Sequence, residues 1–518
     1  MKSYRWFRAG DLNAFFALMF DNVANLVILA SILIGGFGFP KDVVLYRMVP
    51  GTAVGVLVGD LIYAWMAGRL AHRSGRNDVT AMPLGLNAPS IFGMSFAVLG
   101  PAYLLTGDAL LTWKMGMAVT VLVGIFKIAL SFGGNAVRAA VPRAALLGSI
   151  GGAGLALIAL LPMLKIVADP IPGLLAFGVI LVTLVGKVRM PWGLPGAFAS
   201  ALLGIGAHHL LRAAHLVSPA LTAASSTPAG LHISFPWPSF GFLGGLSLAW
   251  GYLPIVLPFA LATIVGGIDN TESAAAAGDE YDTRAILLTE GLCTVAAGLC
   301  GGVVESTPYI GHPAYKAMGA GAGYALLTAL FVGLGGVFGY LPFFVEWIPA
   351  SAVAPILVYI GMEVIAQAFL ATPPRHGLAV AVALLPSLAF LMAIQTNSVL
   401  SALGSSLTQL RGDVGESTRA LNLLGNGFIL SALLWGAATA ELINHRFRRS
   451  ALYLLIGAVF CLFGVIHSPA PQGNFVLPGK AQSPLPFHFA VAYLTAALAV
   501  AGSKLFYRGQ ESHSARTG

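Results

Sequence analysis

The sequence predicts an all-α membrane protein built from two inverted repeats, and three observations support that prediction. The 518 residues are 57% hydrophobic and only 9% charged, whereas a soluble domain carries about 25% charged residues. The apolar residues form many runs of roughly 20, the length that spans a bilayer. Two similar polar motifs, Asp21-Asn22 and Asp269-Asn270, interrupt apolar runs in the two halves of the chain.

The first half covers residues 1–212 and contains seven predicted segments. They lie at about 13–35, 45–67, 80–105, 113–133, 143–163, 170–186 and 193–212. The third contains Pro83, Pro89 and Pro101, and proline removes a helical hydrogen bond and clashes with the preceding turn. We therefore expect the third segment to be an extended stretch joined to a short helix.

The second half, residues 243–441, follows an external linker at 213–242 that is rich in Pro, Ser and Thr. Its segments are predicted at about 243–277, 284–303, 304–320, 321–343, 349–369, 377–397 and 421–441. The third of these is again interrupted by glycines and prolines, at the place that matches the break in the first half. Residues 442–518 hold an extra hairpin, at about 451–468 and 487–506, and a polar tail.

Basic loops set the predicted orientation, because lysine and arginine accumulate in cytoplasmic loops. Basic residues occur in the loop 69–76, at Arg138 and Arg143, and in the run 444–449. We assign these positions, together with both termini, to the cytoplasm. An odd number of segments in each half inverts the second half, so that the two interrupted segments meet near the bilayer midplane. We expect a multi-pass protein of the bacterial inner membrane, with the acidic loop 279–282 solvated on the cytoplasmic side.

The first segment carries Asp21, Asn22 and Asn25 within about one helical turn. A carboxylate in an apolar helix costs about 2.5–3.5 kcal/mol on insertion scales, so it needs a partner, a wet cavity or a function. Asn22 and Asn25 share a helix face. Two interpretations stay open at this point: a hydrogen-bonded clasp between helices, or a functional site.

The broken third segment offers Asn87, Ser95 and Phe96 as candidate substrate-binding residues. Non-helical backbone at membrane depth persists only where protein or a wet cavity satisfies its polar groups. The N-terminus of a short helix at such a break can bind an anionic or carbonyl group. The alternative interpretation is a tight packing seam of small residues.

The eighth segment places Asp269 and Glu272 on one helix face, since they are three residues apart. Two carboxylates so close repel each other, which favours protonation of one of them. The pair is therefore predicted to bind substrate, to carry a coupled proton or to hold a cation. The alternative is an ion pair, for which the sequence shows few basic residues inside the apolar runs.

The tenth segment contains several chemistry-bearing residues between glycines and prolines, namely Glu305, Ser306, Thr307, Tyr309 and His312. Ser306 or Thr307 can cap a half-helix, and together with Tyr309 they are candidate substrate-binding residues. Glu305 is a candidate coupling acid, and His312 is a supporting residue, as are Asp21 and Asn22. In the alternative interpretation, Glu305 and His312 lie in an external loop.

Several of these runs resemble the nucleobase/ascorbate permease family, which includes xanthine and uracil permeases. The run Pro89-Ser-Ile-Phe-Gly93-Met-Ser95-Phe96-Ala97 resembles that family's third segment. The runs 289–301 and 306–311 resemble its ninth segment and the start of its tenth, and 257–262 resembles the start of its eighth. Together, and in this order, these runs cover most of the chain from about 13 to 441. The chain therefore resembles a divergent member of the family.

The resemblance implies seven segments in each inverted repeat, a division into core and gate domains, and a substrate site between the third and tenth segments. It also implies that Phe96 stacks on a substrate ring and that Asp21 and Asn22 match the family's first-helix polar pair. The chain departs from the uracil permeases in the eighth segment. There Gly266 takes the place of the substrate-binding acid, and the acids of this chain follow about one turn later.

These observations lead to competing hypotheses of function. The first is secondary active transport of a nucleobase or similar small polar substrate, coupled to protons or sodium. The second is transport of an inorganic anion or organic acid by the same fold, which a site with several acids fits less well. The third, a membrane enzyme or scaffold, lacks a nucleophile–base motif or phosphate loop. We expect a small-molecule substrate, no cofactor beyond the coupling ion, no metal centre, no nucleic-acid partner and, as one assembly to test, a homodimer in the lipid bilayer.

Overall fold

The fold is described from a computed structural model, and it consists of helices joined by short connections. The structure describes residues 4–86, 88–191, 194, 196–216, 233–341, 348–469, 477–478 and 483–517. Asn87, a predicted binding residue, and most of the predicted linker lie outside the described residues.

The first half contains eight helices and one short strand within the described residues. They are α1 (Ala9–Gly36), α2 (Lys41–Ser74), β1 (Leu84–Gly85), α3 (88–106), α4 (Ala109–Ser131), α5 (Gly134–Ala140), α6 (Arg143–Ala168), α7 (Pro170–Val185) and α8 (Gly196–Ala213). The third predicted segment is thus an extended stretch with β1 followed by the short helix α3, as the prolines indicated. α3 itself changes from α-helical at Ala88–Gly93 to π-helical at Met94–Leu99 and back to α-helical at Gly100–Thr106.

The second half repeats this order of elements. It contains α9 (Leu253–Ala276), α10 (Thr283–Leu299), β2 (Thr307–Pro308), α11 (His312–Ala317), α12 (Gly323–Phe338), α13 (Ala350–Leu370), α14 (Gly377–Ala402), α15 (Gly412–Gly425) and α16 (Phe428–Ile443). The predicted extra hairpin follows as α17 (Phe447–Leu462) and α18 (Leu485–Thr517). Where the sequence predicted one helix at 421–441, the chain instead bends by 77° between α15 and α16, and Gly427 adopts a left-handed conformation with φ of 66° at that bend.

The predicted all-α membrane fold is confirmed. Eight of the described helices are long and apolar enough to cross a membrane, and the bent pair α15–α16 makes a ninth if it is counted as one span. α7 and α12 are shorter apolar helices, as is the 94–106 part of α3. The chain is therefore an integral, multi-pass membrane protein.

Reciprocal helix packing accompanies the repeated order of elements. α2, the second helix of the first half, packs against α12 of the second half, and α10 packs against α4 in the same way. Small residues allow the close approach: a Cβ on Gly124 of α4 would overlap Val295 of α10, and a Cβ on Gly291 of α10 would overlap Ile128 of α4. Corresponding helices of the two halves thus make corresponding contacts.

The chain divides into two compact units, and each draws on both halves of the sequence. The first comprises Met1–Asn135, Leu157–Val256 and Ser273–Val364. It contains both broken segments. The second comprises Ala136–Ala156, Leu257–Glu272 and Ile365–Gly518. It contains α14 to α18, with α14 packed against α16 and α17 against α18.

Candidate functional site

The two broken segments meet in the first unit, as the sequence predicted. β1 and β2 pair in antiparallel fashion, with Leu84 opposite Pro308 and Gly85 opposite Thr307. The Tyr309 N–H adds a bond to the Pro83 carbonyl at 2.9 Å. Each extended stretch therefore satisfies part of the backbone that the other leaves without a helical partner, which is what a break at membrane depth requires.

Side chains of α1 and α2 satisfy further backbone groups of the third segment. Asp60 Oδ1 accepts the Leu84 N–H at 3.0 Å, and Asn22 Oδ1 accepts the Leu86 N–H at 3.0 Å. Asn25 donates to the Leu86 carbonyl and to Asp21 Oδ2, both at 2.9 Å. Asn22 and Asn25 therefore form the clasp between segments that was one of the two open interpretations.

Asp21 differs from Asn22 and Asn25, because its described partners are side chains and not the backbone of the third segment. It accepts the bond from Asn25 and faces the hydroxyl of Tyr309 from the tenth segment. That hydroxyl is buried and falls short of hydrogen-bond geometry within the described residues. Asp21 and Tyr309 thus bring one carboxyl and one phenol together beside the β1–β2 pair.

The extended stretch before β1 is fixed by a charged cluster around Asp279. The Asp279 carboxylate accepts the Thr80 N–H at 3.0 Å and binds Lys316 at 2.7 Å and His312 at 3.3 Å. Burial would raise the pKa of this carboxyl, but its bonds and charge contacts with His312 and Lys316 lower the pKa below its usual range. Asp279 is fully buried. The interpretation of 279–282 as a solvated loop was therefore wrong at this residue.

An ion triad lies beside the tenth segment. Lys127 of α4 contacts Glu290 Oε1 of α10 at 2.6 Å and Glu305 Oε2 at 2.7 Å. The other oxygen of Glu305 accepts a bond from Ser90 of α3 at 2.6 Å. Glu305 and His312 are both buried, so the alternative that they lie in an external loop was wrong.

The sequence reasoning missed Lys127 as a functional candidate, and it named Glu290 only as part of a family-like run. A signal was present. Lys127 is the one charged residue in the stretch from Met115 to Ser131 of α4, and an ionisable residue at such a position is a functional hypothesis by default. The same criterion applies to Glu290, the one charged residue between Ala285 and Leu299 of α10.

The remaining predicted binding residues of the third and tenth segments differ in exposure. Ser95, Ser306 and Thr307 are buried, and the hydroxyls of Ser95 and Ser306 have no hydrogen-bond partner within the described residues. Phe96 is 43% exposed, and its ring lies 5.6 Å from that of Phe37. Phe96 is therefore partly exposed, next to the buried Ser95 hydroxyl on the same short helix.

The predicted acid pair of the eighth segment lies in the second unit, and its two members have different surroundings. Glu272 pairs with Arg138 at 2.7 Å and with Arg143. Neither oxygen of Asp269 reaches a hydrogen-bond partner within the described residues; the nearby Ser149 hydroxyl donates instead to the Ile429 carbonyl at 3.2 Å. The ion-pair alternative therefore applies to Glu272, whose partners Arg138 and Arg143 come from α5 and the first residue of α6. Asp269 is a buried acid without a hydrogen-bond partner among the described residues.

Comparisons with known proteins add little at the level of individual residues. No protein-family model matches the sequence, and no curated protein matches it. Among solved structures, the chain is similar to the transmembrane domain of BicA, a bicarbonate transporter of a cyanobacterium. The TM-score is 0.38 and the sequence identity is 16%, and the match covers 73% of this chain and 94% of that chain.

Proposed function

We propose that this chain is a secondary active transporter that carries a nucleobase or a similar small polar substrate by alternating access, driven by a proton or sodium gradient. The observation that carries the proposal is the β1–β2 pair. Two broken segments from the two halves of a multi-pass membrane protein meet there, with buried polar residues around them. Secondary transporters with repeats build their sites from such discontinuous segments.

Within this proposal, the substrate lies between the third and tenth segments. Phe96 supplies an exposed ring face on which a planar substrate can stack. Ser95, Ser306 and Tyr309 supply hydroxyl groups that lack partners within the described residues, and a buried hydroxyl gains from a ligand that completes its hydrogen bonds. A neutral ring with several donors and acceptors matches that set of groups.

The roles of the predicted acids follow from their surroundings. Glu272 is held by two arginines, so we assign it to structure. The oxygens of Asp269 have no hydrogen-bond partner in the part of the chain that the structure describes, which keeps Asp269 as a candidate for substrate binding. Glu305 remains a candidate for coupling. Both termini are proposed to be cytoplasmic, in a bacterial inner membrane.

The second candidate function is transport of an inorganic anion or organic acid, and one observation favours it. Lys127 places a cation beside the tenth segment, and a cation can bind an anionic substrate. Its charge, however, is opposed by two carboxylates at 2.6 and 2.7 Å. Because an added anion would meet a region that is already negative, we rank this function second.

A thermal-shift screen of the purified full-length protein separates the two functions, because a ligand that binds the folded state stabilises it by mass action. The probes are uracil, xanthine and hypoxanthine, tested against bicarbonate, sulfate and succinate. At about 100 times Kd, a ligand stabilises the fold by about 2.7 kcal/mol. We expect a shift with at least one nucleobase; a shift confined to the anions would overturn the nucleobase assignment and favour the second function.

Two variants locate the binding site. Phe96→Ala should abolish the nucleobase shift, since it removes the ring face. Phe338→Ala is the matched control, because Phe338 lies on α12 and is exposed to the same extent, 43%. Equal loss of the shift in both variants would count against a site at Phe96.

A further inference from the structure

The buried ion triad of Lys127, Glu290 and Glu305 carries a charge imbalance that the proposed substrate site does not use. Lys127 and Glu290 have no exposed side-chain surface, and that of Glu305 is 8% exposed. With all three groups ionised, one ammonium faces two carboxylates. An uncompensated charge in so buried a position is unfavourable by several kcal/mol.

The hydrogen bonds described for the triad come from one cation, Lys127, and from the neutral Ser90. Lys127 has three N–H donors; two bind the carboxylates, and the third points to the Ser306 carbonyl at a long 3.5 Å. Ser90 donates a neutral hydrogen bond to Glu305 at 2.6 Å. Glu290 Oε2 is buried with no partner that meets hydrogen-bond criteria within the described residues, although the Thr307 side chain is near.

Among the described residues, the other titratable groups near Glu290 supply no positive charge. Asp60 and Tyr63 come from α2, and Cys293 comes from α10 next to Glu290. Asp60 adds a further carboxylate on that side, and Tyr63 and Cys293 are neutral when protonated. A proton is therefore the simplest means of neutralising the cluster.

We propose that this triad holds one exchangeable proton, shared between Glu290 and Glu305, and that it is the proton-coupling site of the transporter. A proton from solvent binds one carboxylate, giving a neutral cluster of one ammonium, one carboxylate and one carboxylic acid. Its release restores the negative cluster. Lys127 is the positioning residue, because its ammonium holds both carboxylates and occupies the position that a bound sodium ion would need.

The triad is placed to connect that proton to the broken segments. Glu305 precedes β2 in the tenth segment, and its second oxygen is bonded to Ser90 at the start of α3 in the third. A change in the charge of Glu305 therefore acts on a hydrogen bond that joins both walls of the proposed site. The coupling role rests on the proposed transport function, whereas the bound proton does not.

Infrared spectroscopy of the full-length protein tests the bound proton without any substrate. A protonated carboxylic acid has a C=O band that a carboxylate lacks, and labelling the glutamates with ¹³C at the side-chain carboxyl separates them from Asp21, Asp60 and Asp269. We expect the wild type to show a glutamic acid band that disappears at high pH. Glu290→Gln and Glu305→Gln should each abolish it. Each variant leaves one carboxylate beside the Lys127 ammonium, and this pair has no net charge and needs no proton. Lys127→Met should strengthen it, since both carboxyls then take up protons.

The control and the contrary outcome are defined by the same spectra. Glu363→Gln should leave the band unchanged, because Glu363 lies on α13 outside the triad. A band that survives in either Glu290→Gln or Glu305→Gln would overturn the shared proton. The uptake assay uses a nucleobase that the screen identifies. If a glutamine variant lost the band but kept the wild-type pH dependence of uptake, only the coupling role would be overturned. Failure of the screen itself would leave the spectra as an independent test of the proton.

Discussion

The Asp60 carboxylate accepts the backbone N–H of Leu84 at 3.0 Å, so a side chain from the middle of α2 completes the hydrogen bonding of the first residue of β1. We predict that Asp60→Ala lowers stability by about 1–3 kcal/mol, because it leaves a buried N–H unpaired. Asp60→Asn keeps an acceptor oxygen and should be affected less. Melting temperatures of the purified variants measure the difference, and equal melting temperatures for the two would show that the bond to Leu84 contributes nothing.

Gly55 allows α2 to lie directly against the tenth segment. A Cβ at this position would overlap the Ser306 Oγ, so Gly55→Ala should displace β2 and weaken both stability and nucleobase binding. Gly178→Ala is the matched control, because nothing lies within 4 Å of its added Cβ; replacing a helical glycine there should stabilise slightly. Thermal shifts of both variants, with and without the nucleobase, measure the effect, and parallel behaviour of the two would contradict the close contact.

Two acids on the same face of α9 should respond to neutralisation with opposite signs. Asp269→Asn removes a buried charge whose oxygens have no partner within the described residues, so it should raise the melting temperature while weakening substrate binding. Glu272→Gln breaks contacts to Arg138 and Arg143, and loss of one member of a buried ion pair costs about 3–5 kcal/mol. If Asp269→Asn were the more destabilising of the two, Asp269 would have a structural role instead.

The cluster around Asp279 predicts a dependence of stability on acid. The pKa of this carboxyl is lowered in the folded protein, so its stabilisation is complete above the unfolded pKa of about 3.9. That stabilisation is lost as the pH falls through this value toward the folded pKa. Asp279→Asn should lower the melting temperature at neutral pH and flatten its decline between about pH 5 and 3.

Asp78 provides the control for that pH dependence. Its pKa is also lowered, by a hydrogen bond from Arg76, but its side chain is 66% exposed, and exposed pairs contribute little. Asp78→Asn should leave the pH profile close to that of the wild type. A profile that shifts as much for Asp78→Asn as for Asp279→Asn would show that burial of the cluster is not the cause.

The sequence predicted the breaks in the third and tenth segments because proline forbids a continuous helix there, and the meeting of the two segments followed from the repeated order. For Asn22 and Asn25 it offered a clasp between helices as one of two open interpretations, and the structure shows that clasp. Both features depend on local chemistry that can be read from neighbouring residues. The missing N–H of Pro83 explains the break, and amide side chains within an apolar helix explain the clasp.

The ion pairs could not be predicted in the same way. Glu272 and its partner Arg138 lie on different helices, and no local pattern links them. Asp279 stands beside Glu280 and Asp282 in a run that is typical of a solvated loop, and only the packing of Thr80, His312 and Lys316 around it shows that it is buried. Lys127 was detectable as the one charged residue between Met115 and Ser131 of α4, but its pairing with Glu290 and Glu305 was not.

The measurement that tests the central claim most directly is the accessibility of Phe96 from the two sides of the membrane. In a protein whose three native cysteines are replaced by serine, Phe96→Cys is exposed to a membrane-impermeant maleimide in right-side-out and in inside-out vesicles. Alternating access at a site between the third and tenth segments predicts labelling from both sides. Leu174→Cys, an exposed apolar position on α7, should be labelled from neither. Labelling of the Phe96 cysteine from one side only, or from neither, would contradict the account.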